Sequence, residues 1–150
     1  MEFRKAMHED LKEIVRLLAD DELGATREKY EDPLPDAYEQ AFSDIQAQTG
    51  NQILVAAEDG SVIGCLQLTF IPGLSRLGMK RAQIEGVRID KRCRGRKIGE
   101  SLIREAIRLS QAENCGLIQL TTDKTREDAM RFYEKLGFTA THEGMKLILE

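Results

Sequence analysis

Arg92-Cys93-Arg94-Gly95-Arg96-Lys97-Ile98-Gly99 is the stretch on which the reading of this chain turns. Before it, Arg81 to Asp90 alternates like a strand, with Ile84, Gly86, Arg88 and Asp90 on one face and Glu85, Val87 and Ile89 on the other. After it, Ile98, Leu102, Ala106 and Leu109 recur at helical spacing, and Ile103 with Ile107 widen the apolar stripe. A loop between a strand and a helix aims several unbonded backbone N–H groups at one point, with the positive end of the helix dipole behind them. Gly95 and Gly99 let an anion approach the backbone, and the bases at 92, 94, 96 and 97 raise the local potential. A pyrophosphate suits such a place. The stretch is not a Walker loop, having no Gly-Lys-Ser/Thr, and its glycine spacing is not that of a dinucleotide fingerprint.

Outward from the loop the pattern continues. Glu2–Ala6 reads as a short strand, and Asp10 is placed to cap a helix whose inner side is Leu11, Ile14, Val15, Leu17 and Leu18. Asp32-Pro33-Leu34-Pro35 breaks the chain before a second helix from Asp36 to about Gln48. Ile53–Glu58 and Ser61–Ile71 are β-type runs joined at Asp59-Gly60, a strong hairpin signal. Pro72-Gly73 ends the second run, and Leu74–Met79 reads as a flexible connection. Gly116 closes the long helix, and Leu117–Thr121 is a buried-type strand. Thr125-x-x-Asp128 resembles a capping box, opening a helix that Gly137 stops. Phe138–Ala140 and Glu143–Leu149 are predicted as two closing strands.

Composition narrows the classes. A chain of 150 residues without repeats or linker-like tracts predicts one domain with a real core. It contains no Trp and few aromatics, which argues against a stacking platform for single-stranded nucleic acid. No apolar run approaches the roughly 18 residues of a membrane span, and the amino terminus is charged from Glu2, so a cytoplasmic location is expected. Cys65, Cys93 and Cys115 are odd in number and far apart, which predicts neither a disulfide framework nor a zinc pair. Cys93 lies among bases but has no His nearby in sequence, so it reads as a reduced thiol without chemical duty. Between Ala19 and Gly50 nine acids face two bases, and between Arg76 and Lys97 nine bases face two acids. That asymmetry predicts one region that holds an anion and another that tolerates a cation.

Four matches make the chain resemble the GNAT superfamily of N-acetyltransferases. Arg94-Gly95-Arg96-Lys97-Ile98-Gly99 is similar to its Q/R-x-x-G-x-G/A loop, with Lys97 where glycine is usual. Phe3-Arg4-Lys5-Ala6 with Asp10 and Ile14 resembles its opening, and Ile84–Asp90 its central strand. Ala129-Met130-Arg131-Phe132-Tyr133 through Leu136-Gly137-Phe138 resembles its A-x-x-F-Y-x-x-x-G-F segment. The resemblance implies an α/β fold of mixed α+β type. It has a mostly antiparallel mixed sheet of about seven strands, flanked by four helices and splayed between the fourth and fifth strands. Lysine tolerates positive φ poorly, so the turn at Lys97 is expected to be adjusted or mildly strained.

The resemblance also implies the chemistry. Acetyl-CoA is the expected cosubstrate, with no metal. Its pyrophosphate would lie on the amides of Arg94, Gly95, Arg96, Lys97, Ile98 and Gly99, and its pantetheine arm along Val87, Arg88 and Ile89. Phe132 joins the cofactor side. Asp123 stands where an Asn often touches the cofactor, although a turn or cap role serves it equally well. Tyr133 is placed as the acid for the departing thiolate, since a phenol of pKa about 10 matches a thiol near 8.5. Glu85, on the central strand, is the candidate base, provided that partial burial raises its pKa; the alternative is an ion pair with Arg81 or Arg88. The amide of Val87 or its neighbour would stabilise the oxyanion. His8 and His142 read as ordinary surface histidines.

The acceptor is expected to be the primary amine of a small molecule. The first two helices and the Pro72–Met79 loop select it, and the acidic belt favours a cationic amine such as a polyamine or aminoglycoside. Glu85, Lys97 and the short chain look most like acetyltransferases of the aminoalkylphosphonate type. A peptide or protein amino group, a CoA-binding module without activity and a nucleic-acid binder remain as alternatives. A homodimer is among the arrangements open to the chain.

Overall fold

A computed structural model of the protein describes residues 1–126 and 128–150. The chain divides into two units, Met1–Gln119 and Leu120–Glu150. Its elements are β1 (Glu2–Lys5), α1 (Leu11–Ala19), α2 (Glu22–Arg27), α3 (Asp36–Ala47), β2 (Asn51–Glu58), β3 (Ser61–Ile71), α4 (Ser75–Gly78), β4 (Arg81–Ile89), α5 (Ile98–Ala112), β5 (Leu117–Leu120) and α6 (Ala129–Lys135). One five-stranded sheet runs β1-β2-β3-β4-β5. Its first three pairings are antiparallel.

The β2–β3 hairpin forms as its turn residues dictate. Asp59 and Gly60 both take positive φ, 52° and 78°, as a type I′ turn requires. Two layers of apolar side chains then close on the sheet. On one face Ile14 and Leu17 of α1 pack with Val55, Val62 and Cys65, while Leu11 and Val15 pack with Phe42 of α3. Against β2, β3 and β4 lies α5, whose Ile98, Leu102, Ile103 and Ala106 are buried. Each large side chain so buried is worth about 1.5–3 kcal/mol relative to exposure.

Several expectations are corrected. Among the described residues there are five strands and six helices, not seven and four. No strand forms over residues 138–150, where Met145, Leu147, Ile148 and Leu149 are 80–94% exposed. The period-2 pattern is there, but a strand is a paired structure and this segment pairs with nothing described. The short α2 escapes sequence reading because it has no apolar stripe; the Asp21 side chain starts it by accepting from the Gly24 N–H at 2.6 Å. Leu74–Met79 is not a loose connection throughout, since α4 is a single turn with Arg76, Leu77 and Gly78 all left-handed. α6 starts at Ala129 with Asp128 as its N-cap at φ 68°, and Thr125 bonds to Asp123, so Thr125 does not take the capping position that Thr125-x-x-Asp128 predicts. No described helix is long and apolar enough to cross a membrane.

Asp10 also differs from expectation. Its side chain does not cap α1. It is buried, accepts from both terminal guanidinium nitrogens of Arg4, Nη1 and Nη2, at 2.6 and 3.0 Å, and accepts the Met7 N–H at 2.7 Å. The bond from Arg4 is the main reason the carboxyl is held below the usual range, and the Met7 amide helps against the cost of burial. A carboxyl depressed on folding stabilises fully above its unfolded pKa, about 3.9, and loses that contribution as pH falls through the lower folded value. Urea unfolding from pH 2 to 5 should therefore show stability falling with acid in wild type. In Asp10→Asn that part of the slope should be smaller.

Candidate active site

The site is built on an irregularity in β4. Cys65 of β3 faces Arg88 and Gln67 faces Glu85, so one residue, Leu66, opposes two, Gly86 and Val87. This is a β-bulge, and Gly86 at φ 61° takes the left-handed position that a side chain would resist. The bulge resets the alternation, so that Glu85 and Gly86 are both exposed while Val87, Arg88 and Ile89 are half-buried. A cavity of about 50 Å³ opens beside it, lined by Ile14, Leu18, Ile53, Cys65, Leu66, Gln67 and Gly86. Beyond the start of β4 the sheet thins. Gly116 N–H donates to Lys80 O at 2.8 Å and the Gln119 side chain to Gln83 at 2.8 Å, but β5 has only four residues. No described strand follows β4 on that side from Glu85 to Ile89.

A buried carboxylate ends the strand. Asp90 is 1% exposed and accepts from Arg92 Nε and Nη2 at 3.1 and 2.7 Å, from the Arg92 N–H at 2.9 Å and from Arg16 of α1 at 3.1 Å. The Arg92 side chain is the largest cause holding its carboxyl far below the usual range, ahead of the opposing cost of burial. Lys91–Cys93 then makes one 3₁₀ turn, and the chain enters the loop.

The loop keeps its donors unbonded. Arg94 N–H leans on Lys91 O at 3.5 Å, and Ser101 N–H is the first to bond back into α5, to Lys97 O at 3.1 Å. Between them, the N–H groups of Gly95 through Glu100 donate to nothing among the described residues. Gly95 has φ 86° and open space where a Cβ would stand. Lys97 takes φ 59° and ψ 26°, so lysine occupies the left-handed position where the resembling loops carry glycine. The turn is kept rather than adjusted, at a cost of about 1 kcal/mol.

The amino-acid sequence overstates the charge here. Of the four loop bases, Arg92 is held by Asp90, and Arg96 reaches Glu58 at 2.7 Å and the Cys93 sulfur at 3.8 Å. Only Arg94 and Lys97 are exposed without an ion pair among the described residues. The acidic and basic stretches also meet each other: Lys91 lies 3.4 Å from Asp20 and Arg88 3.7 Å from Asp21. The predicted separation of an anion region from a cation region is therefore partly cancelled.

A profile of the acetyltransferase (GNAT) family matches residues 12–138. The chain belongs to that family. Its members use acetyl-CoA as acetyl donor, and the match runs across both units of this GNAT chain. A glucosamine 6-phosphate N-acetyltransferase of Trypanosoma brucei brucei is 33% identical over 90 residues, 60% of this chain and 59% of that protein. Among solved structures, a transcriptional regulator from Bacillus halodurans is 48% identical with a TM-score of 0.96, covering 99% of each chain. A Trypanosoma brucei acetyltransferase is 28% identical with a TM-score of 0.80, again covering 99% of each.

Within the first unit, the structure of this GNAT protein brings Glu85, Val87, Arg88, Ile89 and Arg94–Gly99 onto one continuous strand and loop. Partial burial of Glu85 is not seen. Its carboxylate is exposed and makes neither ion pair nor hydrogen bond among the described residues; Arg88 instead approaches Asp21 and donates to Val87 O at 2.9 Å. In the second unit, Phe132, Tyr133 and Phe138 stack edge to face, with ring centres 5.1 and 5.7 Å apart. Asp123 accepts from both the N–H and the hydroxyl of Thr125, at 2.9 and 2.7 Å, which is a turn role. Burial pushes the Cys65 thiol up to about 12, and all three cysteines are free. Sequence reading missed the bulge and the Asp90 cluster; Gly86 inside a strand pattern was the available signal for the first. Lys97→Gly should raise the unfolding free energy in urea by roughly 1 kcal/mol. Asp90→Ala should lower it by about 2 kcal/mol or more and weaken acetyl-CoA binding, because the loop loses its anchor.

Proposed function

We propose that this protein transfers the acetyl group of acetyl-CoA to the primary amine of a small molecule, by direct attack in a ternary complex. The observation that carries the reading is the run of unbonded N–H groups from Gly95 to Glu100, at the start of a 15-residue helix in a chain of this family. Six donors on a helix dipole fit a diphosphate better than they fit water. In this reading the amides of Gly95–Gly99 hold the pyrophosphate, with Arg94 and Lys97 adding charge. The edge at Val87, Arg88 and Ile89 carries the pantetheine arm, and Asp123 and Phe132 are assigned to cofactor binding by the family resemblance alone. Residues 1–150 act as one acetyltransferase domain.

Proton movements fall to two side chains. The acceptor ammonium loses a proton to the Glu85 carboxylate, directly or through water, and the freed nitrogen attacks the thioester carbon. Glu85 stands exposed on the strand, within reach of the acceptor and of water. The new N–C bond forms as the C–S bond breaks, and the amide of Val87 meets the charge developing on oxygen. The thiolate takes a proton from the Tyr133 phenol, whose ring contacts Phe132 and Phe138 edge to face, and the phenolate is restored by the second proton that the acylated nitrogen gives up, passed through water.

Thiol release from acetyl-CoA over a panel of amines tests this. Tyr133→Phe should lower kcat by about 10²-fold or more, and Glu85→Gln by a similar factor at neutral pH, with the KM for acetyl-CoA little changed. Binding of acetyl-CoA without thiol release for any amine would leave a binding module instead.

A further inference from the structure

Side-chain direction in the sheet follows from register. Asn51 faces Thr69, Thr69 faces Gln83, Gln67 faces Glu85 and Ile71 faces Arg81. Ile53, two residues from Asn51, packs with α1. All of these therefore lie on the face that α1 covers, in the part of it beyond that cover. There the apolar lining gives way to a polar ribbon crossing β2, β3, β4 and β5. Asn51 Oδ1 accepts from Gln67 and Thr69 at 3.0 and 3.2 Å, and Gln119 donates to Gln83 at 2.8 Å. Four strands contribute neutral amides and a hydroxyl to one surface, which no packing requirement explains.

Two charges lie on this ribbon, and they are opposite. Glu85 is the one carboxylate. At the other end of the same face of β4 stands Arg81, half-buried, with no hydrogen bond or ion pair among the described residues. Its Nη1 lies against Gly73, where a Cβ would come within 3.3 Å. Four residues of strand put the two Cα atoms about 13 Å apart, and both side chains can lean inward. A guanidinium with all five donors uncommitted is a fork for a phosphate or carboxylate.

We propose that this ribbon is the acceptor site and that it takes a small hydroxylated amine carrying a phosphate, with the amine at Glu85, the hydroxyls on the amides of Gln67 and Gln83 and on Thr69, and the phosphate on Arg81. The assignment rests on the acetyl-transfer reading for what happens at Glu85, but the binding site stands on the sheet face alone. It replaces the expectation of a cationic acceptor. A polyamine would meet a single carboxylate and then a cation, while Asp20 and Asp21 of the acidic belt are already near Lys91 and Arg88.

Glucosamine 6-phosphate, glucosamine and spermidine serve as probes in the thiol-release assay, with calorimetric binding of glucosamine 6-phosphate alongside. The phosphorylated amine should have the highest kcat/KM of the three. Arg81→Ala should raise its KM about tenfold or more, the worth of a charge-assisted hydrogen bond, while leaving kcat, the KM for acetyl-CoA and the KM for glucosamine within about twofold. Arg81→Lys should recover part of the loss. Equal KM values in wild type and Arg81→Ala, or a preference for spermidine, overturn the proposal. If no amine releases thiol, the calorimetry decides. Binding lost in Arg81→Ala then upholds the site while the transfer reading fails, and binding that is absent from wild type or unchanged by the substitution removes the site.

Discussion

The first unit hangs on Asp90. Burying a carboxylate is costly unless it is fully paired, and this one is paired with a helix on one side and with its own loop on the other. Arg16 ties α1 to the end of β4; Arg92 and its amide turn the chain sharply into the loop. Because the carboxylate cannot move without stranding buried charge, the strand always stops at the same residue. The first free amide then always falls at Gly95. The bulge at Gly86 and Val87, four residues earlier, is held between that fixed end and the regular pairing of Arg81–Glu85 with β3.

Regular elements were the legible part of this chain. Asp59-Gly60 named its own turn, and the stripe of Ile98, Leu102 and Ala106 named its own helix, because backbone preference and burial agree at those positions. The loop was legible too, down to the glycine-like turn at Lys97, since strand and helix periods flank it on both sides. Legibility failed where the outcome depends on a partner elsewhere in the chain. Asp10 looked like a cap until Arg4, six residues away, claimed both its oxygens. The pattern Met145-Lys146-Leu147 reads as strand, but alternation specifies only which side chains share a face and supplies no neighbour to bond.

Charge was the least legible property. A stretch rich in acid and a stretch rich in base look like two surfaces when laid out in sequence. In three dimensions α1 and the turn after it run beside the end of β4, and oppositely charged side chains approach one another there. Which charges survive is decided by register and not by density. Arg81 and Glu85 keep theirs because their nearest neighbours on the sheet face, Gln67, Thr69 and Gln83, are neutral.

The run of unbonded amides has a bearing on how such a loop changes over time. A site made of main-chain N–H groups is indifferent to most side chains, so it can drift in sequence while its donors stay in place. Alanine replacement along it would leave every donor standing and would understate its importance. Proline, which deletes one N–H and fixes φ, is the residue that can erase it one position at a time. Lys97 illustrates that tolerance: a lysine holds the left-handed turn, and all six donors stay unbonded among the described residues.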